Sequence, residues 1–346
     1  MPLSSLDPHP IGVPPGLWAA FRRTGVAEAE LAAEAGVPLS LLSRPYVSRD
    51  HYFALWRAYA ALTGDMARSA MDLASAYAPA AYPPSVLASY HARDYRDALR
   101  RMARYKPLCP PEGLTMDEQG AHCRLELEPP AAGPAPPPLL QALTLAFLLE
   151  LGRKGTGKPL RARSVELAEM SGDVAALEAY FGCAIRIGGA RSRLTLSRGD
   201  LDLPFVTSNE ELLDILTPAL KQTLDERTVR QPAADQALRA IKRSLPDGRP
   251  SIQTAAKTLG LSSRTLQRRL ADEGTSFKLL VDEARRELAR AYLADARIEI
   301  KDIAFRIGFE DSSSFYRAFR RWENATPADW RAAQQKCRPP LLTDSP

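Results

Sequence analysis

Six side chains in the last third of the chain are of types that suit base edges. A guanidinium can bond to both major-groove acceptors of guanine, and a carboxamide can bond to adenine in the same paired way. Arg264, Gln267 and Arg268 surround the apolar residues Leu266 and Leu270, while Ser313, Tyr316 and Arg317 surround Phe315 and Phe319. At helical spacing the apolar pair of each set faces a core and the polar residues face outward. Arg269, Arg320 and Arg321 are placed for phosphate oxygens, where they would add salt-sensitive affinity without sequence choice. The serine at 313 makes the second set the weaker reader.

These residues belong to a pattern that occurs twice. Ala256, Leu259, Gly260 and Leu261 return 48 residues later as Ala304, Ile307, Gly308 and Phe309, and Leu266, Gln267, Arg268 and Leu270 return 49 later as Phe315, Tyr316, Arg317 and Phe319. Each copy reads as a short helix with alanine at a helix crossing, a glycine turn, an apolar plug and a second helix, which is the helix-turn-helix plan. Such a second helix fits a major groove about 12 Å wide. Between the copies, Phe277, Leu280, Val281, Ala284, Leu288 and Ala291 hold one face of a helix predicted over 276–293. At 1.5 Å per residue it is about 27 Å long, of the order needed to span successive major grooves about 34 Å apart. A plain helical bundle with a solvated basic face is the rival reading, and Trp322 and Trp330 are expected to pack in the core.

Charge separates this region from the rest. Residues 231–346 hold 21 Lys+Arg against 15 Asp+Glu, whereas residues 1–230 hold 25 against 26. The basic surplus points to a polyanion for the last third alone. With 45% apolar and 25% charged residues, the chain has the composition of a folded globular protein and not of a disordered one. The longest greasy run, Leu139 to Leu151, is interrupted by Gln141 and Glu150 and is too short to span a bilayer. The first fifteen residues lack the basic head and apolar middle of a signal peptide, so a cytoplasmic protein with no membrane partner is expected.

The first two thirds read as α+β. After an irregular proline-rich lead-in over 1–15, one helix is predicted over 17–35, a second over 50–63 with Phe53, Trp56, Ala60 and Leu62 inward, and others over 66–77 and 94–105. Residues 122–128 alternate as a half-buried strand of a pair, with Glu126 and Glu128 facing solvent. Pro129 to Pro138 reads as a surface connection, followed by an apolar helix over 139–151. Then come a strand over 162–169, a helix over 173–181 and a hairpin over 183–197 turning at Gly188-Gly189. A helix predicted over 233–244 and the prolines after it read as a joint. The organisation is 1–230, a linker region 231–250, and 251–346.

Catalytic and metal chemistry find little support. Cys109, Cys123, Cys183 and Cys337 show no CxxC spacing, so neither a disulfide framework nor a zinc site is expected. The run Gly152 to Lys158 imitates a phosphate-binding loop, but Pro159 follows the lysine and a helix, not a strand, precedes the run. No cofactor and no enzymatic role are expected. Tyr82, Tyr90, His91 and Tyr105 are candidates to line a pocket, although aromatics on helices more often simply pack.

Residues 251–335 resemble the DNA-binding domain of AraC/XylS-type transcription regulators. The resemblance rests on SIQTAAKTLGLSSRTLQRRLADEGTSF, IAFRIGF (Ile303 to Phe309), SSFYRAFRRW (Ser313 to Trp322) and TPADWR (Thr326 to Arg331). It implies an all-α domain of two helix-turn-helix units joined by a long helix, with base-reading roles at Arg264, Gln267, Arg268, Ser313, Tyr316 and Arg317. The family's glycine before Ser/Thr-Pro is Asn324 here, a residue that also tolerates positive φ.

The first half is similar to the effector domain of ornithine- and arginine-use regulators through ALWRAYAALTGD (Ala54 to Asp65), YHARDYRDALRRMARY (Tyr90 to Tyr105) and RSRLTLSRGDLDLPF (Arg191 to Phe205). That likeness implies an α+β effector-sensing or dimerising module of the arabinose-binding type, without naming its ligand. Together the resemblances imply a sequence-specific transcription regulator, usually an activator, with promoter DNA, RNA polymerase, a small-molecule effector and a second copy as partners. Two alternatives stand beside it: a dimer with no effector, and an alkyl-transfer enzyme fused to the same reader. The second needs a zinc-bound cysteine set that the sequence before residue 231 does not supply.

Overall fold

The computed structural model describes residues 11–336 apart from 15, 110, 131–133, 190, 231, 246–247, 249 and 295–297. The chain divides into two compact units, Met1–Arg227 and Thr228–Pro346.

In the first unit β1 (Ile11–Gly12) pairs antiparallel with β2 (Tyr46–Val47), while most of the expected irregular lead-in lies outside the described residues. The single helix expected over 17–35 is two, α1 (Leu17–Arg23) and α2 (Glu28–Glu34). Two local features break it: the Thr24 hydroxyl donates to the Phe21 carbonyl at 2.8 Å, and Gly25 takes φ +90°, open to glycine for want of a Cβ. Next come α3 (Arg49–Thr63) and α4 (Met66–Ala76), with the Ser48 and Asp65 side chains accepting from the first-turn amides of His51 and Arg68. Phe53 and Trp56 are buried as expected, but Leu62 is exposed, because the inward face of α3 runs through Tyr52, Leu55, Trp56 and Tyr59. The Phe21 ring stacks on Tyr59 at 4.2 Å and meets Trp56 edge-on. Helices α5 (Pro84–Tyr90) and α6 (Tyr95–Tyr105) follow.

The sheet starts with β3 (Gly113–Gln119) and β4 (His122–Glu128), an antiparallel pair that buries Cys123, Leu125 and Leu127. Glu126 does not simply face solvent: it accepts from Arg191 and Arg193 at 2.6 Å each. The proline-rich connection is only partly described, and within it Pro136 and Pro137 are buried at the head of α7 (Pro138–Thr156). This helix is longer than expected and runs through Gly152 and Gly155. A Cβ there would come within 2.5 Å of the Tyr95 ring and 2.4 Å of the Phe205 ring, so the glycines of the false phosphate loop allow close packing.

The remaining elements are β5 (Ser164–Leu167), α8 (Val174–Phe181), β6 (Ile185–Ile187), β7 (Arg193–Ser197) and α9 (Glu210–Arg230). Strand order is β3-β4-β7-β5-β6. The expected hairpin over 183–197 is therefore not formed. Strand β6 pairs parallel to β5, since α8 supplies the crossover that a parallel pair needs, and β7 enters antiparallel between β4 and β5.

The described elements of the second unit are all helices: α10 (Ala233–Ser244), α11 (Ile252–Thr258), α12 (Ser263–Asp272), α13 (Phe277–Leu293), α14 (Ile300–Arg306), α15 (Ser312–Glu323) and α16 (Pro327–Lys336). Helix α10 lies in the stretch read as a joint, yet it buries Ala237, Leu238 and Ile241 and packs on α11, α12 and α13. Its apolar stripe is as regular as that of any core helix. The Glu273 carboxylate accepts from the amides of Ala233 and Ala234 at 2.6 and 2.8 Å, satisfying donors that a helix start leaves open. Among the described residues no helix is long and apolar enough to cross a membrane.

Candidate nucleic-acid interface

The two copies of the repeat have one backbone geometry. In the first turn Gly260 has φ +66°, its amide donates to the Lys257 carbonyl at 3.1 Å, and the Leu261 amide donates to Ala256 at 2.9 Å. In the second, Gly308 has φ +77°, its amide donates to Phe305 at 3.0 Å, and the Phe309 amide donates to Ala304 at 3.0 Å. Ala256 and Ala304 are buried, so the helices of each pair cross closely. The second helix of each pair is capped alike: Ser262 accepts from the Thr265 amide at 3.1 Å, Asp311 from the Ser314 amide at 2.7 Å. Hydrogen bonds from the Ser314 hydroxyl and amide hold the Asp311 carboxyl below the usual carboxylate range.

On α12 the anchors Leu266 and Leu270 are buried, and Arg264, Gln267, Arg268 and Arg269 are exposed. None of these three arginines makes an ion pair among the described residues. On α15 Phe315 and Phe319 are buried; Ser313, Arg317, Arg320 and Arg321 are exposed and Tyr316 is half-buried, its ring 6.0 Å from Phe315. Here the basic side chains have neighbours. The Arg317 guanidinium donates to the Ser314 hydroxyl at 3.0 Å, and Arg321 pairs with Asp282 at 3.2 Å. The spacer predicted over 276–293 is α13, with Ser276 as its N-cap.

Other residues, which sequence reasoning missed, position the second copy. Arg285 donates to the Ile307 carbonyl at 3.1 Å and the Gly308 carbonyl at 2.7 Å and lies 4.5 Å over the Phe309 ring, so α13 grips the second turn. Glu323, whose side chain is 6% exposed, accepts from Arg286 at 2.6 Å and Arg290 at 2.5 Å. Burial alone would raise the Glu323 carboxyl, but the hydrogen bonds from Arg290 and Arg286 outweigh it and hold it below its ordinary value. Arg331 of α16 donates to the Leu293 and Ile298 carbonyls at 3.1 and 2.8 Å. The spacing of Arg286 and Arg290, one turn apart, was the available signal.

Trp322 and Trp330 are half-buried and pack edge-on against Phe319, at 6.4 and 6.2 Å. Asn324 ends α15 with φ +55°, a left-handed conformation that asparagine tolerates. Of the pocket candidates in the first unit, Tyr105 is buried with Ala88, Leu213 and Leu220, and His91 Nδ1 lies 2.6 Å from the Thr207 carbonyl. Tyr82 and Tyr90 lie ring to ring at 5.6 Å. No group of three or more potential metal ligands occurs among the described residues.

A tandem helix-turn-helix built twice on one frame, with an α+β unit earlier in the chain, defines the class. Residues 25–205 match the arabinose-binding domain of AraC transcription regulator, N-terminal, and residues 255–333 match the helix-turn-helix domain family. The first match covers over half of the chain, and the chain belongs to the AraC family of transcription regulators. Among relatives, it is 30% identical over 194 residues to the HTH-type transcriptional regulator VqsM of Pseudomonas aeruginosa, covering 56% of this chain and 58% of that protein. It is 31% identical over 156 residues to the ornithine utilization regulator of the same organism, covering 44% and 45%. These matches span about half the length of the relatives. Among solved structures, that of the transcriptional regulator CdpR from Pseudomonas aeruginosa is 24% identical with a TM-score of 0.43, over 91% of this chain and 97% of that one.

Proposed function

We propose that the chain is a cytoplasmic, one-component regulator that binds promoter DNA and catalyses no reaction. In this reading residues 251–346 hold the reader, Arg264, Gln267, Arg268, Ser313, Tyr316 and Arg317 face bases, and Arg269, Arg320 and Arg321 face phosphates. Residues 1–230 sense a small molecule and support a homodimer, and the bound protein contacts RNA polymerase as an activator. The observation that carries the proposal is the face of α12: Leu266 and Leu270 are buried while Arg264, Gln267 and Arg268 stand exposed on a helix held by a glycine turn. Ligand binding would act by shifting a population between DNA-competent and incompetent arrangements.

Footprinting of the full chain on its own promoter region tests this. Two protected segments about one helical turn apart are expected, with affinity falling steeply as salt rises. Absence of protection, or affinity indifferent to salt, would overturn the reading.

A further inference from the structure

The first unit contains a group of buried polar atoms that have no hydrogen-bond partner among the described residues. Glu112 is 3% exposed; its Oε1 accepts from Lys106 Nζ at 2.7 Å and from the Thr144 hydroxyl at 2.9 Å, while its Oε2 has no hydrogen-bond partner. The hydroxyls of Tyr77 and Tyr82 are likewise buried and unpartnered. Buried polar groups are nearly always bonded, and each orphan costs about as much as a lost hydrogen bond, so three together need an explanation.

They lie around one face of α7. Phe147 stands one turn beyond Thr144, and its ring centre is 5.5 Å from Tyr82 and 6.3 Å from Tyr77, whose own rings stack at 5.6 Å. Glu112 meets the same helix face through Thr144. Burial pushes the Tyr52 hydroxyl well above its usual range, and Glu112, Tyr77 and Cys109 each add to the effect. Thr144 and Phe147 remain half-buried on a helix whose other faces are closed by Leu145, Ala146, Leu148 and Leu149.

We propose that this face of α7, framed by Tyr77, Tyr82 and Glu112, binds an uncharged ring compound carrying both a hydrogen-bond donor and acceptors. The donor meets Glu112 Oε2, the acceptors meet the two tyrosine hydroxyls, and the ring lies against Phe147 and the tyrosines. Charge is disfavoured because the nearby charged groups are already engaged, Glu112 and Glu150 by ion pairs and Lys154 by carbonyls. Lys106 already neutralises Glu112, Arg153 lies 2.8 Å from Glu150, and Lys154 Nζ is held 3.2 Å from the carbonyls of Ser75 and Tyr77. A carboxylate or ammonium would enter a low-dielectric interior without a counter-ion. This inference rests on the sensor reading of residues 1–230 and gives that sensor its ligand class.

The test uses the full chain and three probes that share a phenol ring: neutral 4-hydroxybenzamide, its near-isosteric anion 4-hydroxybenzoate, and the cation tyramine. Titration calorimetry is expected to detect the amide and to find it the tightest of the three. Tyr77→Phe and Tyr82→Phe, which keep the ring and delete the orphan hydroxyl, are each expected to weaken the amide about tenfold, the worth of one hydrogen bond. Without ligand both variants are expected to melt at or above the wild-type Tm, because a buried unpartnered hydroxyl is removed. Tighter binding of either charged probe, no binding by any probe, unchanged affinity in the phenylalanine variants, or their marked destabilisation would each overturn the proposal. Amide binding that leaves DNA affinity unaltered keeps the site and removes the sensor reading, so the two failures are distinguishable.

Discussion

The two helix-turn-helix copies share a frame and differ in what surrounds it. Turn glycines, crossing alanines and N-caps superimpose in kind, so the backbone problem is solved once and repeated. The first copy keeps an aliphatic core of Leu266 and Leu270 and an arginine face with no ion pair among the described residues. The second has an aromatic core of Phe309, Phe315, Phe319, Trp322 and Trp330 and is held to α13 by Arg285, Glu323 and Arg331. Arginines occupied within a fold have less freedom to follow a ligand. The comparison teaches that duplication can conserve geometry while changing what holds each copy, the first leaving its arginine face open and the second being pinned to α13.

The largest expected effect tests the cores. Phe319→Ala should cost about 3–5 kcal/mol, against about 2–5 kcal/mol for Leu270→Ala. Phe319 also loses edge contacts with Phe315, Trp322 and Trp330, so denaturant melting should rank it the more damaging of the two. Equal losses would erase the distinction between aliphatic and aromatic copies.

Next comes reading. Arg268→Ala should lower operator affinity by roughly 1–3 kcal/mol and relax preference at one base pair, and Arg317→Ala should do less. Affinities across a set of single-base operator variants check both. If Arg317→Ala proves the greater loss, the ranking of the two copies is reversed.

Glu323→Gln should cost about 1–2 kcal/mol of stability, since two charged donors lose their carboxylate. A carboxyl with its folded value depressed contributes stability above its unfolded value and loses it as pH falls. Wild-type stability should therefore decline as pH drops below the ordinary value of 4.5 and through the lower folded one. Melts of the variant should show a shallower acid decline, and an unchanged acid limb would show that the clamp is not coupled to folding.

Smaller still, Ser262→Ala should cost about 1 kcal/mol, and Asp311→Ala should lower the Tm about as far as Ser262→Ala does near neutral pH, because both caps satisfy the same kind of helix-start amide. Unequal costs would blur the common frame. The least effect is expected from Arg321→Ala, which should weaken all DNA sequences alike and lower the salt slope by about 1. Sequence-selective loss would move Arg321 among the base readers.

Much of the second unit was legible because its signals are local. Leu266 and Leu270, or Phe315 and Phe319, lie one turn apart, and a helix must put them on one side whatever else it touches. The first unit was less legible where a decision belonged to distant partners. Residues 183–197 carry a good turn, yet β6 joined β5 and β7 joined β4, since pairing depends on which strand edges are free. Gly152 and Gly155 looked like a loop until Tyr95 and Phe205 were seen against them.

Periodicity, caps and the 48- and 49-residue repeat were sufficient for the helical frame and the outward faces, because helix geometry involves only neighbours in the chain. Tertiary structure alone decided that α10 belongs to the second unit, that Glu323 and Arg285 clamp one copy, and that Glu112, Tyr77 and Tyr82 keep unpartnered atoms inside. Each depends on residues brought together from far along the chain, and burial and pairing energies exist only once that approach is made.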